Sequence, residues 1–118
     1  MSATQDEAFA VSWVRDWNQR DLESVLSHYA DDVEFVSPLV VTLMNEPTGT
    51  VHGKENLREY FRKVVATFPN VQVALVGTYR GLNSLLVHFE ATTGRKAVEV
   101  MELDGSGKVR RAITLGQP

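Results

Sequence analysis

The last third of the chain, residues 82–115, leaves the fewest options for folding. It reads as three consecutive strands over 85–92, 96–103 and 109–115, joined by tight turns at Thr93-Gly94 and Asp104-Gly105-Ser106-Gly107. Strands connected this closely pair as an antiparallel meander, and the apolar face of such a sheet must be covered by helices from earlier in the chain. Alternation assigns the faces. Leu85, Val87, Phe89 and Ala91 form the apolar set and point inward, while Ser84, Leu86, His88 and Glu90 point outward. His88 then lies at a dimer contact or in water. The opposite parity would pair it with Glu99, a carboxylate set among Val98, Val100 and Met101 in the middle strand.

The earlier residues supply the helices. Ala10, Trp13, Val14 and Trp17 recur at helical spacing in a helix over 5–18, with Ser2 or Thr4 as its cap. Asn18-Gln19-Arg20 ends it. Asp21 caps a second helix whose apolar face carries Leu22, Val25, Leu26 and Tyr29, stopped by Ala30-Asp31-Asp32. A first strand over 33–37 puts Val33, Phe35 and Ser37 on one face, and Pro38 ends it. Residues 39–50 have an apolar half and then turn chemistry at Asn45-Glu46-Pro47-Thr48-Gly49; they read either as a loop folded over a cavity mouth or as a short extra strand. A third helix over 54–68 carries the cleanest apolar stripe, from Leu57, Tyr60 and Phe61 to Val64, Val65 and Phe68. Pro69-Asn70 terminates it, and a strand over 71–76 leads through Arg80-Gly81 into the meander. The order is that of one α+β domain over 1–118, a curved antiparallel sheet wrapped around helices.

Composition narrows the function classes. A chain of 118 residues suits one domain. With a net charge of -3 and no basic run it has no footprint for nucleic acid. No apolar run has the length of a membrane span, and residues 1–7 lack a signal-peptide pattern. Cysteine is absent, which excludes disulfides, thiol catalysis and a thiolate metal site, and fits a cytoplasmic protein. His28, His52 and His88 have no metal-ligand spacing, so no metal is expected. No GxGxxG, P-loop or nucleophile elbow occurs, and Gly105-Ser106-Gly107 is a hairpin turn; no cofactor is expected.

Four motifs occur in order: Trp17-Asn18-Gln19-Arg20-Asp21-Leu22, Tyr29-Ala30-Asp31-Asp32-Val33-Glu34-Phe35, Gly53-Lys54-Glu55-Asn56-Leu57-Arg58-Glu59-Tyr60-Phe61 and Leu103-Asp104-Gly105-Ser106-Gly107-Lys108-Val109. Together they resemble the SnoaL-like branch of the nuclear transport factor 2-like superfamily over nearly the whole chain. The resemblance implies a cone, with three N-terminal helices on the concave face of the sheet, an apolar pocket inside and homodimers through the sheet. Members include isomerases, cyclases, epoxide hydrolases, dehydratases and binding proteins, so the resemblance does not by itself choose an activity.

Comparison with ketosteroid isomerase, a member of the superfamily, tests the site residue by residue. That chemistry needs a carboxylate base, a tyrosine hydroxyl and a protonated carboxylic acid. The base position, before the proline that ends the first strand, holds Ser37, which has no useful basicity unless another base activates it. The tyrosine position falls on Trp13, whose indole N–H donates but takes no proton. The acid position falls on Glu99. Steroid isomerisation by that route is therefore not expected. Glu99 either projects into the cavity beside Met101 and Phe89, its pKa raised by burial, or is satisfied by Arg111, Arg95 or Lys96. Trp13, Trp17, Phe35, Ser37, Tyr60, Phe61, Phe89 and Met101 are the expected pocket wall. Arg110 and Arg111 are either an anion site at the pocket rim or a solvated strand pair, and Asp31 and Asp32 serve turns. His28 is a cation at the end of the second helix.

Three functions stay open. The first is a binding domain for a small hydrophobic or carbonyl-containing molecule. The second is an isomerase, cyclase or hydrolase with Glu99 as acid–base group. The third is a protein-interaction module using the outer sheet face, where Val98 and Val100 are apolar enough that a homodimer is the economical way to cover them.

Overall fold

The computed structural model describes residues 3–117, with side chains from Gln5 onward. Helix α1 (Ala3–Asn18) and the short α2 (Leu22–Leu26) lead into strand β1 (Tyr29–Val36). Helix α3 (Pro38–Leu43), strand β2 (Thr50–His52) and helix α4 (Lys54–Thr67) follow. Strands β3 (Val73–Arg80), β4 (Ser84–Ala91), β5 (Lys96–Leu103) and β6 (Val109–Gly116) end the chain. The six strands form one sheet in the order β2-β1-β6-β5-β4-β3. The expected meander stands as read, with Leu85 opposite Met101 and Val87 opposite Glu99. The cap expected at Ser2 or Thr4 lies outside the described side chains.

The sheet is mixed, because β1 runs parallel to β6 while every other neighbouring pair is antiparallel. Tight turns force antiparallel pairing only between consecutive strands; β1 and β6 are joined by most of the chain, and no turn constrains their direction.

Three local expectations are corrected. Tyr29 does not belong to the second helix, which ends at Leu26; it opens β1 and sits opposite Val109 of β6. The strand therefore starts four residues before Val33, with its register interrupted between Tyr29 and Glu34. Residues 39–50 are neither a loop throughout nor a single extra strand. Ser37 Oγ accepts from the Leu39 N–H at 3.3 Å and Pro38 takes the first helical turn, so the apolar run coils into α3. A serine cap followed by proline is a helix start, and the apolar character of the run masked it. Behind α3, Gly49 adopts φ 67° beside Ser37, where a Cβ would come within 3.1 Å of the Ser37 carbonyl oxygen. The chain thus turns back tightly into β2. With α3 counted, four helices are present among the described residues where three were expected. The other cap expectation holds, since Asp21 accepts from the Ser24 N–H at 3.2 Å.

The core lies between the helices and one face of the sheet. Ala10, Trp13 and Val14 of α1, Leu57, Tyr60 and Phe61 of α4, and Leu85, Val87, Met101 and Ala112 of the sheet are all buried there. Two side chains near the end of α1 hold its position. The Asn18 amide bonds both the N–H and the carbonyl of Val73 at 2.8 Å, taking the place of a neighbouring strand along the edge of β3. Arg20, in a left-handed backbone conformation at φ 58°, donates to the carbonyls of Trp17, Phe68, Pro69 and Val71. Two of those carbonyls close the C-terminal end of α4, where helix carbonyls lack internal partners.

Candidate functional site

A cleft of about 790 Å³ opens between the helices and the inner sheet face. Its origin is legible along the strands. One inner row runs through Arg80, Leu85, Met101, Ala112, Phe35 and Val51, and its apolar side chains pack under the helices. Toward the open end the cleft floor carries Ala91, Ala97 and Gly116. Small residues there leave the helices standing off the sheet, and the gap is the cleft.

Glu99 stands in the wall at the deep end. It is 3% exposed and lies on the inner face between Val87 and Thr114. Tyr29 Oη donates to Glu99 Oε2 at 2.7 Å, Trp13 Nε1 donates to Tyr29 Oη at 3.1 Å, and Thr114 shares a further hydrogen bond with the carboxyl. Burial pushes Glu99 up to about 7, against the lowering effect of Tyr29 and Thr114. Near neutral pH the group therefore exists both as an acid that can donate and as a carboxylate that can accept. Tyr29 is raised well above the ordinary phenol range by its own burial, and then by Glu99, so it remains a neutral donor. Tyr60, bonded to Ser37 on the neighbouring wall, is pushed up to about 12 by burial.

The expected alternative partners of Glu99 are ruled out. Arg111 pairs with Glu34 at 2.6 Å on the outer face, Arg95 donates to the Gln117 carbonyl, and the bond at Lys96 is from its backbone N–H to the Gln117 side chain. Arg110 lies 4.0 Å from Glu102, so neither it nor Arg111 forms a pocket rim. Trp13, Trp17, Phe35, Ser37, Tyr60, Phe61 and Phe89 all line the cleft. Met101 does not; it is fully buried beneath it. His88 lies outward in the row with Gly77 and Val98, on the opposite face of the sheet from Glu99. His28 sits in the turn after α2, its Nε2 at 3.1 Å from the buried Asp16. Asp31 is exposed and meets Lys54 at 3.5 Å.

Sequence reasoning missed Tyr29 as the phenol on Glu99. Assigning it to a helix face hid the position, and only its strand register brings it beneath Trp13. The Trp17 indole N–H is also buried, with no hydrogen-bond partner among the described protein atoms, in a residue of the cleft wall. A buried donor of this kind calls for an acceptor. Among the described residues no cluster of His, Asp or Glu could hold a metal ion. Among them, too, no helix is long and apolar enough to cross a membrane.

The comparisons with known proteins agree with this architecture. No curated protein matches the sequence significantly. The crystal structure of a SnoaL-like protein of unknown function from Burkholderia thailandensis superposes with a TM-score of 0.93 at 31% identity, covering 99% of this chain and 98% of that one. A proposed isomerase of the SnoaL-like family from Agrobacterium tumefaciens gives a TM-score of 0.76 at 17% identity, covering 98% and 99%. AclR, a proposed hydroxylase from Streptomyces galilaeus, gives 0.75 at 16% identity, covering 98% and 91%. At such identities the last two speak for the fold alone. The family model for the SnoaL-like domain matches residues 10–112, and the chain belongs to the SnoaL-like family.

Proposed function

We propose that this chain is a small-molecule-binding domain whose cleft takes an apolar ligand, docking a carbonyl or similar acceptor against protonated Glu99. The observation that carries the reading is Glu99 itself, a carboxyl 3% exposed in the cleft wall and pushed up to about 7 by burial. A neutral carboxylic acid in an apolar site donates a strong hydrogen bond, and the surrounding aromatic wall provides the area that binds. Ser37 at the base position leaves no second carboxylate to abstract a proton. Among the residues lining the cleft, Glu99 is the only acidic one.

Trp13 and Trp17 report occupancy by their fluorescence. Benzophenone is expected to quench them saturably, with affinity constant below about pH 7 and falling about tenfold per pH unit above it, as the competent protonated fraction declines. Diphenylmethane, which lacks the carbonyl, should show no such dependence. Saturable binding of both with the same flat pH profile would sink the role of Glu99, and an absence of saturable binding would sink the cleft reading.

An enzymatic reading, with Glu99 as acid–base group of an isomerase, cyclase or hydrolase, draws on the same carboxyl, since a pKa near the working pH favours proton transfer in both directions. A homodimer through the sheet draws on a different observation. Tyr79, Leu86, Val100, Ile113 and Val36 form one continuous outward row across five strands, and Tyr79 is 66% exposed.

A further inference from the structure

Four ionisable side chains line the cleft: Arg20, Tyr60, Arg95 and Glu99. They are sorted by depth. Glu99 and Tyr60 are buried at the inner end, while Arg95 is exposed at the mouth beside Thr93 and Gly116. The two arginines differ in what occupies them. Arg20 is committed to four carbonyls. Arg95 forms no ion pair among the described residues, and its guanidinium makes a single hydrogen bond, from Nη2 to the Gln117 carbonyl at 2.8 Å.

The guanidinium is also placed. Its Nη2 lies over Gly116, where a Cβ would come within 3.2 Å, so the bare glycine makes the room in which it rests. Arg95 continues the inward alternation of β5, through Ala97 to Glu99. Four residues of extended chain separate Arg95 from Glu99, about 13 Å at strand spacing. A positive group therefore stands at one end of an apolar trough and a protonatable carboxyl at the other, with Ala97 on the strand between them, flanked by Gly116 on one side and the Phe89 ring on the other.

We propose that the ligand is an elongated, apolar monoanion, with a carboxylate or comparable group held by Arg95 at the mouth and its far end lying against Glu99. This rests on the reading of the cleft as a ligand site. A planar guanidinium with free N–H groups matches a carboxylate in two parallel hydrogen bonds, which a point charge would not orient. The deep end accepts no second anion, because ionised Glu99 would face it; the polarity of the cleft thus sets the direction in which the ligand enters.

The test compares dodecanoate with dodecanol, two probes of the same chain length, by titration calorimetry with the wild-type protein and with Arg95→Gln. The wild type should bind dodecanoate about tenfold more tightly than dodecanol. In the variant the two affinities should converge through loss on the dodecanoate side, with dodecanol unchanged. No preference for the carboxylate in the wild type, or a preference that survives in Arg95→Gln, overturns the inference while dodecanol binding leaves the cleft reading standing. If neither probe binds saturably, the inference falls together with that reading.

Discussion

Glu99 and Glu102 stand three residues apart on β5 and meet opposite fates. Glu99 faces inward, is closed off by Tyr29 and Thr114, and has its proton held by burial up to about 7. Glu102 faces outward in the row with Ser84 and Arg111, half-buried, with Arg110 at 4.0 Å. The same side chain on the same strand becomes a chemical group on one face and a solubilising group on the other. What separates them is desolvation, which belongs to the surroundings and not to the residue.

The largest break in this comparison comes from opening the inner face. Phe61 is buried to 1% and packs against Trp17, Tyr29, Phe35 and Tyr60. Phe61→Ala is expected to cost about 3–5 kcal/mol, measured by urea unfolding, because the rings around the cavity cannot all relax into it. An unfolding midpoint close to the wild type would mean that the inner face is far looser than its packing implies.

The pH dependence of stability sharpens the contrast next. The Glu99 carboxyl is raised from 4.5 to about 7 in the folded protein. Below the lower value both folded and unfolded chains hold the proton. Between the two values the unfolded chain ionises first, so stability falls as pH rises, and above about 7 the whole penalty, about 3 kcal/mol, is present. Glu99→Gln should therefore be close to wild type near about pH 4 and more stable near about pH 8, by up to about that amount. Equal stabilities at both ends, read from thermal melts, would contradict a buried titrating acid. Glu102→Gln serves as the control on the other face, a surface substitution expected to change stability by about 0.5 kcal/mol or less.

The smallest effect on folding belongs to the outer row. Ile113→Lys should shift monomer stability by about 1 kcal/mol or less, since Ile113 is half-buried on the outer face and lies outside the core. If the row is a homodimer interface, the same substitution should reduce the mass seen by sedimentation from two chains to one. A wild-type protein that sediments as a monomer at high concentration would remove the homodimer reading.

The parts of this molecule that were legible in the sequence are those governed by local repetition. The inward set Leu85, Val87, Phe89 and Ala91 follows from alternation, and the Leu57, Tyr60 and Phe61 face of α4 from helical spacing. Where two local signals competed, the reading slipped. The apolar run after Ser37 resembled a loop or strand although Ser37-Pro38 is a helix start, and Tyr29 fitted the spacing of α2 although it pairs with Val109. The wall of the cleft followed from the aromatic content of α1, β1 and α4, but the misplacement of Met101 shows the limit of parity. An inward residue lines the cleft only where the helices stand off the sheet.

Local spacing along the chain settled the meander, the absence of a carboxylate at position 37 and the family, but left open which way Glu99 faces. Each depends on residue identity at a local spacing, because backbone geometry repeats every two or 3.6 residues. Tertiary structure alone decided what Glu99 became. Its donor Tyr29 lies 70 residues away in the chain, and that donor's own partner, Trp13, comes from a third element. The space in front of the carboxyl exists because Ala91, Ala97 and Gly116 converge from three strands. Burial and hydrogen-bond geometry are sums over groups that only folding brings together, so no periodicity along the chain could have carried them.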